Sequence, residues 1–227
     1  VISPNLAIAH YPTLHNFGLT ESTIPGFNNF VGEDYGYHEV MFLIKGLLEI
    51  EQRIAEFENR DKDVIEIKKQ AERLNEEMDQ PQSIDKRKER IEHYKKYLPE
   101  GFFQDGYTQL ELSLKRISRL LLLDDMVDDD AAILLQPMVY GNYGKDSASG
   151  AFYTRDIVTG EKKLQGSFFE NEFDVFGLEG HDINTINKKF HTELNKIAQI
   201  VEDQFKEIRL IRFTIEKGKM WLIDQRP

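Results

Sequence analysis

The sequence predicts an α+β protein with a mainly antiparallel sheet. Three observations carry that expectation. Apolar residues recur at helical spacing through the first half of the chain. Two strand–turn–strand patterns occupy the second half, one around 150–170 and one closing the chain. Strands and helices do not alternate as βαβ units would require, and no internal repeat is visible.

Taken in order, residues 1–31 hold Pro4, Pro12, Pro25 and Gly26 among apolar residues, and are expected to form a loop-rich packed segment. From Tyr35, the positions Leu43, Leu47, Ile50, Ile54 and Phe57 mark one helical face. Asp61 is a candidate cap for a second helix with Val64, Ile67, Ala71, Leu74 and Met78 on its stripe, ended by Pro81. Residues 84–97 are heavily charged, anchored by Ile84, Ile91 and Tyr94, and His93 is expected on a solvated helix face. Together 35–98 read as a protruding helical hairpin. A further stripe runs through Tyr107, Leu110, Leu114, Ile117 and Leu121. The acidic run Asp124–Asp130 reads as a solvated turn, since it lacks the glycine and final glutamate of a calcium loop.

The run AAILLQPMVYG is expected to be a buried strand, and GAFYTR with KKLQGSFF a hairpin around the turn DIVTGE. Asp182 or Asn184 is the expected cap of a helix whose core face is Ile186, Phe190, Leu194, Ile197, Val201 and Phe205. The terminal hairpin puts Leu210, Arg212, Thr214 and Glu216 on one strand face. A three-residue loop with left-handed Gly218 would align that face with Leu222 and Asp224. Arg212 and Asp224 would then be diagonal neighbours, close enough for an ion pair. Trp221, Phe213, Ile211 and Ile223 are expected in the core.

Composition narrows function. Lys+Arg 29 against Asp+Glu 40 gives a net charge of −11, which repels nucleic-acid backbones. Cysteine is absent, so thiolate chemistry is excluded and a reducing, cytoplasmic setting is expected. No apolar run approaches the roughly 18 residues of a membrane span, so no membrane partner is expected. The six histidines show no metal-site spacing. A start on Val1 and a stop on DQRP are what a fragment of a longer chain would show. The stretch GNYGKDSASGAFYTR combines Gly141, Gly144 and Gly150 with Ser147 and Ser149, which suits a phosphate cradle or a bare hairpin loop.

Four segments in order, PTLHNFGLTESTIPGF, GFFQDGYTQLELSLKRI, ILLQPMVYGNYGKDSASGAFYTRDIVTGE and RFTIEKGKMWLIDQRP, resemble the nucleotide-binding domain of pyruvate phosphate dikinase, an ATP-grasp-type domain. The resemblance implies an ATP-grasp-like lobe at 99–227, an opening segment at 1–34 packing on it and a helical-hairpin insertion at 35–98. It implies ATP and Mg²⁺ as cofactors, and phosphohistidine and phosphoenolpyruvate/pyruvate domains elsewhere in a longer chain as partners. In such a domain ATP drives phosphorylation of a histidine on another domain. Adenine would pack near Gln136, Met138 and Val139, while Ser147, Ser149 and Gly150 would approach the phosphates. Arg226 matches the family's catalytic arginine, and Asp224 stands where it has glutamine. Leu210 and Arg212 occupy the places of two metal-binding acids, and Ile2 that of an arginine, so no metal ligand is assigned. The lobe carrying the family's ATP lysine is not among these residues. The resemblance therefore supports two readings, a phosphotransferase's nucleotide-binding domain or a non-catalytic relative acting as a binding or interaction domain, the latter also able to dock partners through 35–98.

Overall fold

The computed structural model describes residues 13–78, 80–124, 132–172 and 180–227. The chain divides into two compact units, Val1–Gln136 and Pro137–Pro227. The first is helical. It contains α1 (Ile24–Val31), α2 (Glu33–Phe57), α3 (Asp61–Met78), α4 (Ile84–Tyr94) and α5 (Gly106–Leu123). The second contains β1 (Ala148–Tyr153), β2 (Gln165–Glu170), β3 (His181–Asp182), α6 (Lys188–Phe205), β4 (Leu210–Glu216) and β5 (Lys219–Arg226).

In the first unit, α2 is the central element because apolar residues cover more than one of its faces. Val40, Leu43, Ile44, Leu47 and Leu48 are all buried, against Leu74 and Met78 of α3, Ile91 and Tyr94 of α4, and Phe102 and Phe103. α2 and α3 pack as a helical pair, with Lys45 Nζ, midway along α2, donating to Asn75 Oδ1 near the end of α3 at 2.7 Å. α1, α4 and α5 also pack on α2, so the hairpin is built into a globular core. Residues 24–31, expected as loop, form α1 because Pro25 suits the first helical turn, where its missing N–H has no partner to lose. Gly32, at φ 94°, ends it.

The α5 stripe is turned from its expected position. Tyr107 is 88% exposed, and the buried positions are Gln109, Ser113 and Leu120. The inward face is polar because Gln109 cross-links the segment before α1. Its Oε1 accepts from the Gly18 N–H at 2.7 Å, and its Nε2 donates to Leu19 O at 3.1 Å and Phe102 O at 3.3 Å. His93 is half-buried against Tyr94 and Tyr97 rather than solvated, its ring edge-on to both.

In the second unit the five strands lie in the order β3-β2-β1-β4-β5, each neighbour antiparallel. One sheet face, carrying Ala148, Phe152, Ile211, Phe213 and Ile215, packs on Leu194 and Ala198 of α6. Asp182 caps the short turn Ile183–Thr185, and Asn187, not Asp182 or Asn184, caps α6 by accepting from Lys189 N. The run 133–140 is not a buried strand. Leu134 and Leu135 are each 56% exposed, and no regular element spans the run. Pro137 in its middle has no N–H for a ladder. No helix among the described residues is long and apolar enough to cross a membrane.

Candidate functional site

Period-two alternation divides the sheet chemically. While one face packs on α6, the other presents Ser149, Ala151 and Tyr153 from β1, and Leu210, Arg212, Thr214 and Glu216 from β4. Small and hydroxylic side chains leave room for the charged groups on this face.

The terminal hairpin supplies those charges. Lys217 and Gly218 both have positive φ, 47° and 76°, and Glu216 pairs with Lys219. The loop therefore has two residues, of the type whose twist matches its strands, not the expected three. The extra residue sits farther along. Phe213 pairs with Leu222 and Arg212 with Asp224, so Ile223 is a bulge. Without it Ile223 would stand opposite Arg212, and Asp224 would turn toward α6. The bulge instead brings Asp224 directly opposite Arg212, closer than the expected diagonal, and carries Arg226 to the same face. Trp221, pairing with Thr214, shares that face with them and is 38% exposed, contrary to its expected core position. Leu222 pairs with Phe213 and is therefore not aligned with Arg212. The Lys217–Gly218 pair was the readable sign of the two-residue loop; nothing in the sequence marked the bulge.

Arg212 and Asp224 form the ion pair anticipated from the sequence. Arg212 Nε lies 3.0 Å from both carboxylate oxygens and its Nη2 lies 2.5 Å from Oδ2. Arg226 Nη2 approaches the same Oδ2 at 3.4 Å. The side chains are partly open, 28% exposed for Arg212, 23% for Asp224 and 31% for Arg226. Two guanidiniums thus converge on one carboxylate oxygen at the surface of the polar face.

The glycine- and serine-rich loop lies at the other end of that face. Tyr140 N–H donates to Glu216 Oε1 at 3.0 Å. Gly141 rests against Ser149, where an added Cβ would come within 2.0 Å of the serine Oγ. Ser149 is consequently buried, and the Ser147 hydroxyl donates to Tyr143 O at 2.7 Å and accepts from Lys217 N at 3.1 Å. Gly150 faces α6, where a Cβ would meet the Phe213 ring at 2.7 Å. Met138 and Val139 are half-buried, and Gln136 is exposed at the end of the first unit. Asp224 and Arg226 are thus together, while Ser147 and Gly150 serve the loop and the sheet packing. Ile2 and most of the acidic run, 125–130, lie outside the described residues.

Away from the hairpin, a concavity of about 500 Å³ lies between Arg155–Lys162 and the end of α6. There Arg155 Nε holds both Glu202 oxygens, at 2.8 and 2.9 Å. Burial raises the Glu202 pKa, but the Arg155 hydrogen bond and charge outweigh it and hold the carboxyl below its ordinary value. That pairing closes the wall of the cavity on itself.

The Mg²⁺ implied by the resemblance does not fit the hairpin. Hard cations take several oxygen ligands. Here Asp224 is clasped by two cations, and no cluster of three or more acidic or imidazole ligands exists among the described residues.

No protein-family model matches the chain. Curated proteins do. The chain is 47% identical over all its 227 residues to "Pyruvate, phosphate dikinase" of Treponema pallidum (strain Nichols), covering 25% of that protein. It is 31% identical over 144 residues, 54% of the chain and 16% of the relative, to "Pyruvate, phosphate dikinase" of Rickettsia conorii (strain ATCC VR-613 / Malish 7). To "Pyruvate, phosphate dikinase 1, chloroplastic" of Arabidopsis thaliana it is 27% identical over 237 aligned residues, 94% of the chain and 24% of the relative. The chain thus spans about a quarter of the length of the relatives that match most of it.

Proposed function

Because this chain is homologous along its full length to a segment of the pyruvate, phosphate dikinases, we propose that it is the nucleotide-binding domain of a phosphotransferase of that kind. In this reading ATP is bound on the polar face of the β4–β5 hairpin. Arg226 lies against the γ-phosphate and neutralises charge that develops as the phosphoryl group leaves for a histidine on another domain. The product route leads toward phosphoenolpyruvate. The observation that carries the proposal is the convergence of Arg212 and Arg226 on one anionic oxygen, on a sheet face where the small or hydroxylic Ala151 and Thr214 flank Arg212.

Calorimetric titration of the full-length protein with ATP tests it. Saturable binding that falls about tenfold or more in Arg226→Ala is expected, the loss of a charge-assisted hydrogen bond of about 1.5–3 kcal/mol. Binding unchanged in that variant contradicts the placement.

A second reading is a non-catalytic relative that keeps the fold as a binding domain. The Arg212–Asp224 ion pair favours it, since it fills ground where the resemblance expects a cation's ligands. Transfer of the ATP γ-phosphoryl group to histidine, followed in the full-length protein with labelled ATP, separates the two. Binding without transfer selects the second.

A further inference from the structure

Resting on the nucleotide-binding reading, we infer that this hairpin face holds nucleotide phosphates directly on Arg212 and Arg226, with no divalent cation between protein and phosphate. The side-chain set carries the inference. Arg212 Nε lies 3.0 Å from both Asp224 oxygens, and the Arg212 and Arg226 Nη2 atoms meet at Oδ2. A cation seated on Asp224 would sit beside two guanidinium charges and be repelled by both. The residues next to Arg212 on this face, Leu210, Ala151 and Thr214, contribute no second carboxylate. Glu216, farther along β4, has one oxygen on the Tyr140 N–H.

What the arrangement offers instead is a permanent positive charge with planar, paired donors. Guanidinium matches a phosphate's oxygens as a fork, and unlike a bound metal it does not dissociate. Asp224 acts here as a positioning residue. One of its oxygens gathers two arginine donors within reach of a single point, and a phosphate oxygen arriving beside it presents the same anionic chemistry. Counted alone, the two guanidiniums and the Asp224 carboxylate carry one positive charge, within a chain of net charge −11. An anion is therefore drawn to this patch rather than to the molecule at large.

The test is ATP titration of the full-length protein by calorimetry, once in EDTA and once in Mg²⁺, at matched ionic strength. Dissociation constants agreeing within about threefold are expected. Affinity greater in Mg²⁺ by more than that overturns the inference and leaves the nucleotide-binding reading standing. No binding in either buffer overturns both. The double variant Arg212→Glu/Asp224→Gln supplies a carboxylate and removes the guanidinium. It is expected to lose about tenfold or more of its affinity in EDTA and to recover it in Mg²⁺. A double variant that binds ATP in EDTA as the parent does overturns the role given to Arg212, and circular dichroism of the ligand-free variant verifies its fold.

Discussion

The helical unit and the sheet unit both draw polar side chains into structural contacts, and they use them for opposite ends. In the helical unit Gln109 is fully enclosed, and its amide links the 18–19 segment and Phe102 O with nothing left for solvent. In the sheet unit Arg212, Asp224 and Arg226 are bonded to one another yet stay about a quarter exposed. Enclosed polar groups hold a fold together because leaving them unpaired is expensive. Partly open charges add little stability and remain able to exchange one another for a ligand. The contrast separates polar residues that hold the fold from polar residues that the proposed function makes available to a ligand.

Substitutions that cross this divide sharpen it. Neighbours on β4 offer the widest contrast. Phe213→Ala, emptying a buried ring that meets Phe152 edge-on, is expected to cost about 3–5 kcal/mol in denaturant unfolding. In the helical unit Gln109→Ala is expected to cost about 1–3 kcal/mol, because a donor and two acceptors lose their partner. A cost below about 0.5 kcal/mol would show that Gln109 is not a structural cross-link. Gly218→Ala forces a Cβ into φ 76° and should cost about 1–2 kcal/mol, read from the thermal midpoint. Arg212→Ala, one residue from Phe213, should change stability by only about 0–1 kcal/mol, since its ion pair is partly solvated. Its effect is expected in ATP affinity instead, and a large stability loss with unchanged affinity would break the division.

The smallest effect concerns acid. Asp105 caps α5, and its hydrogen bonds from the Thr108 hydroxyl, the Thr108 N–H and the Tyr107 N–H hold its pKa below the ordinary carboxylate value. A depressed folded-state pKa contributes stability above the unfolded value of about 3.9, and that stability fades as pH falls through the lower folded value. Asp105→Ser retains a cap but not the titration, so the slope of stability below about pH 4 should flatten. An unchanged slope would place the acid sensitivity elsewhere, Asp182 being the analogous cap in the sheet unit.

The sequence was readable where apolar residues alone decide the outcome. The stripes of α2 and α3, and the pairing of β1 with β2, follow from periodicity. It misled where polar groups are buried or a strand is interrupted. The inward face of α5 is led by Gln109 and Ser113, which a hydrophobic count cannot see, and Pro137 removes a strand from an apolar run. At the candidate site, alternation and charge pointed to Arg212 and Asp224, and only the family resemblance pointed to Arg226. The bulge at Ile223, which moves Asp224 and Arg226 onto the polar face, depends on pairing across the hairpin and leaves no local signature. Ser147 and Gly150 show the same limit, since serine and glycine suit both a ligand loop and a close-packed one.

The central claim is that the polar hairpin face, and not the cavity beside α6, receives the anion. Arginine Nε–H resonances of the isotopically labelled protein, followed during an ATP titration, test it most directly. The account predicts saturable shifts for Arg212 and Arg226 with Arg155 unmoved. Shifts of Arg155, with Arg212 and Arg226 silent, would contradict it.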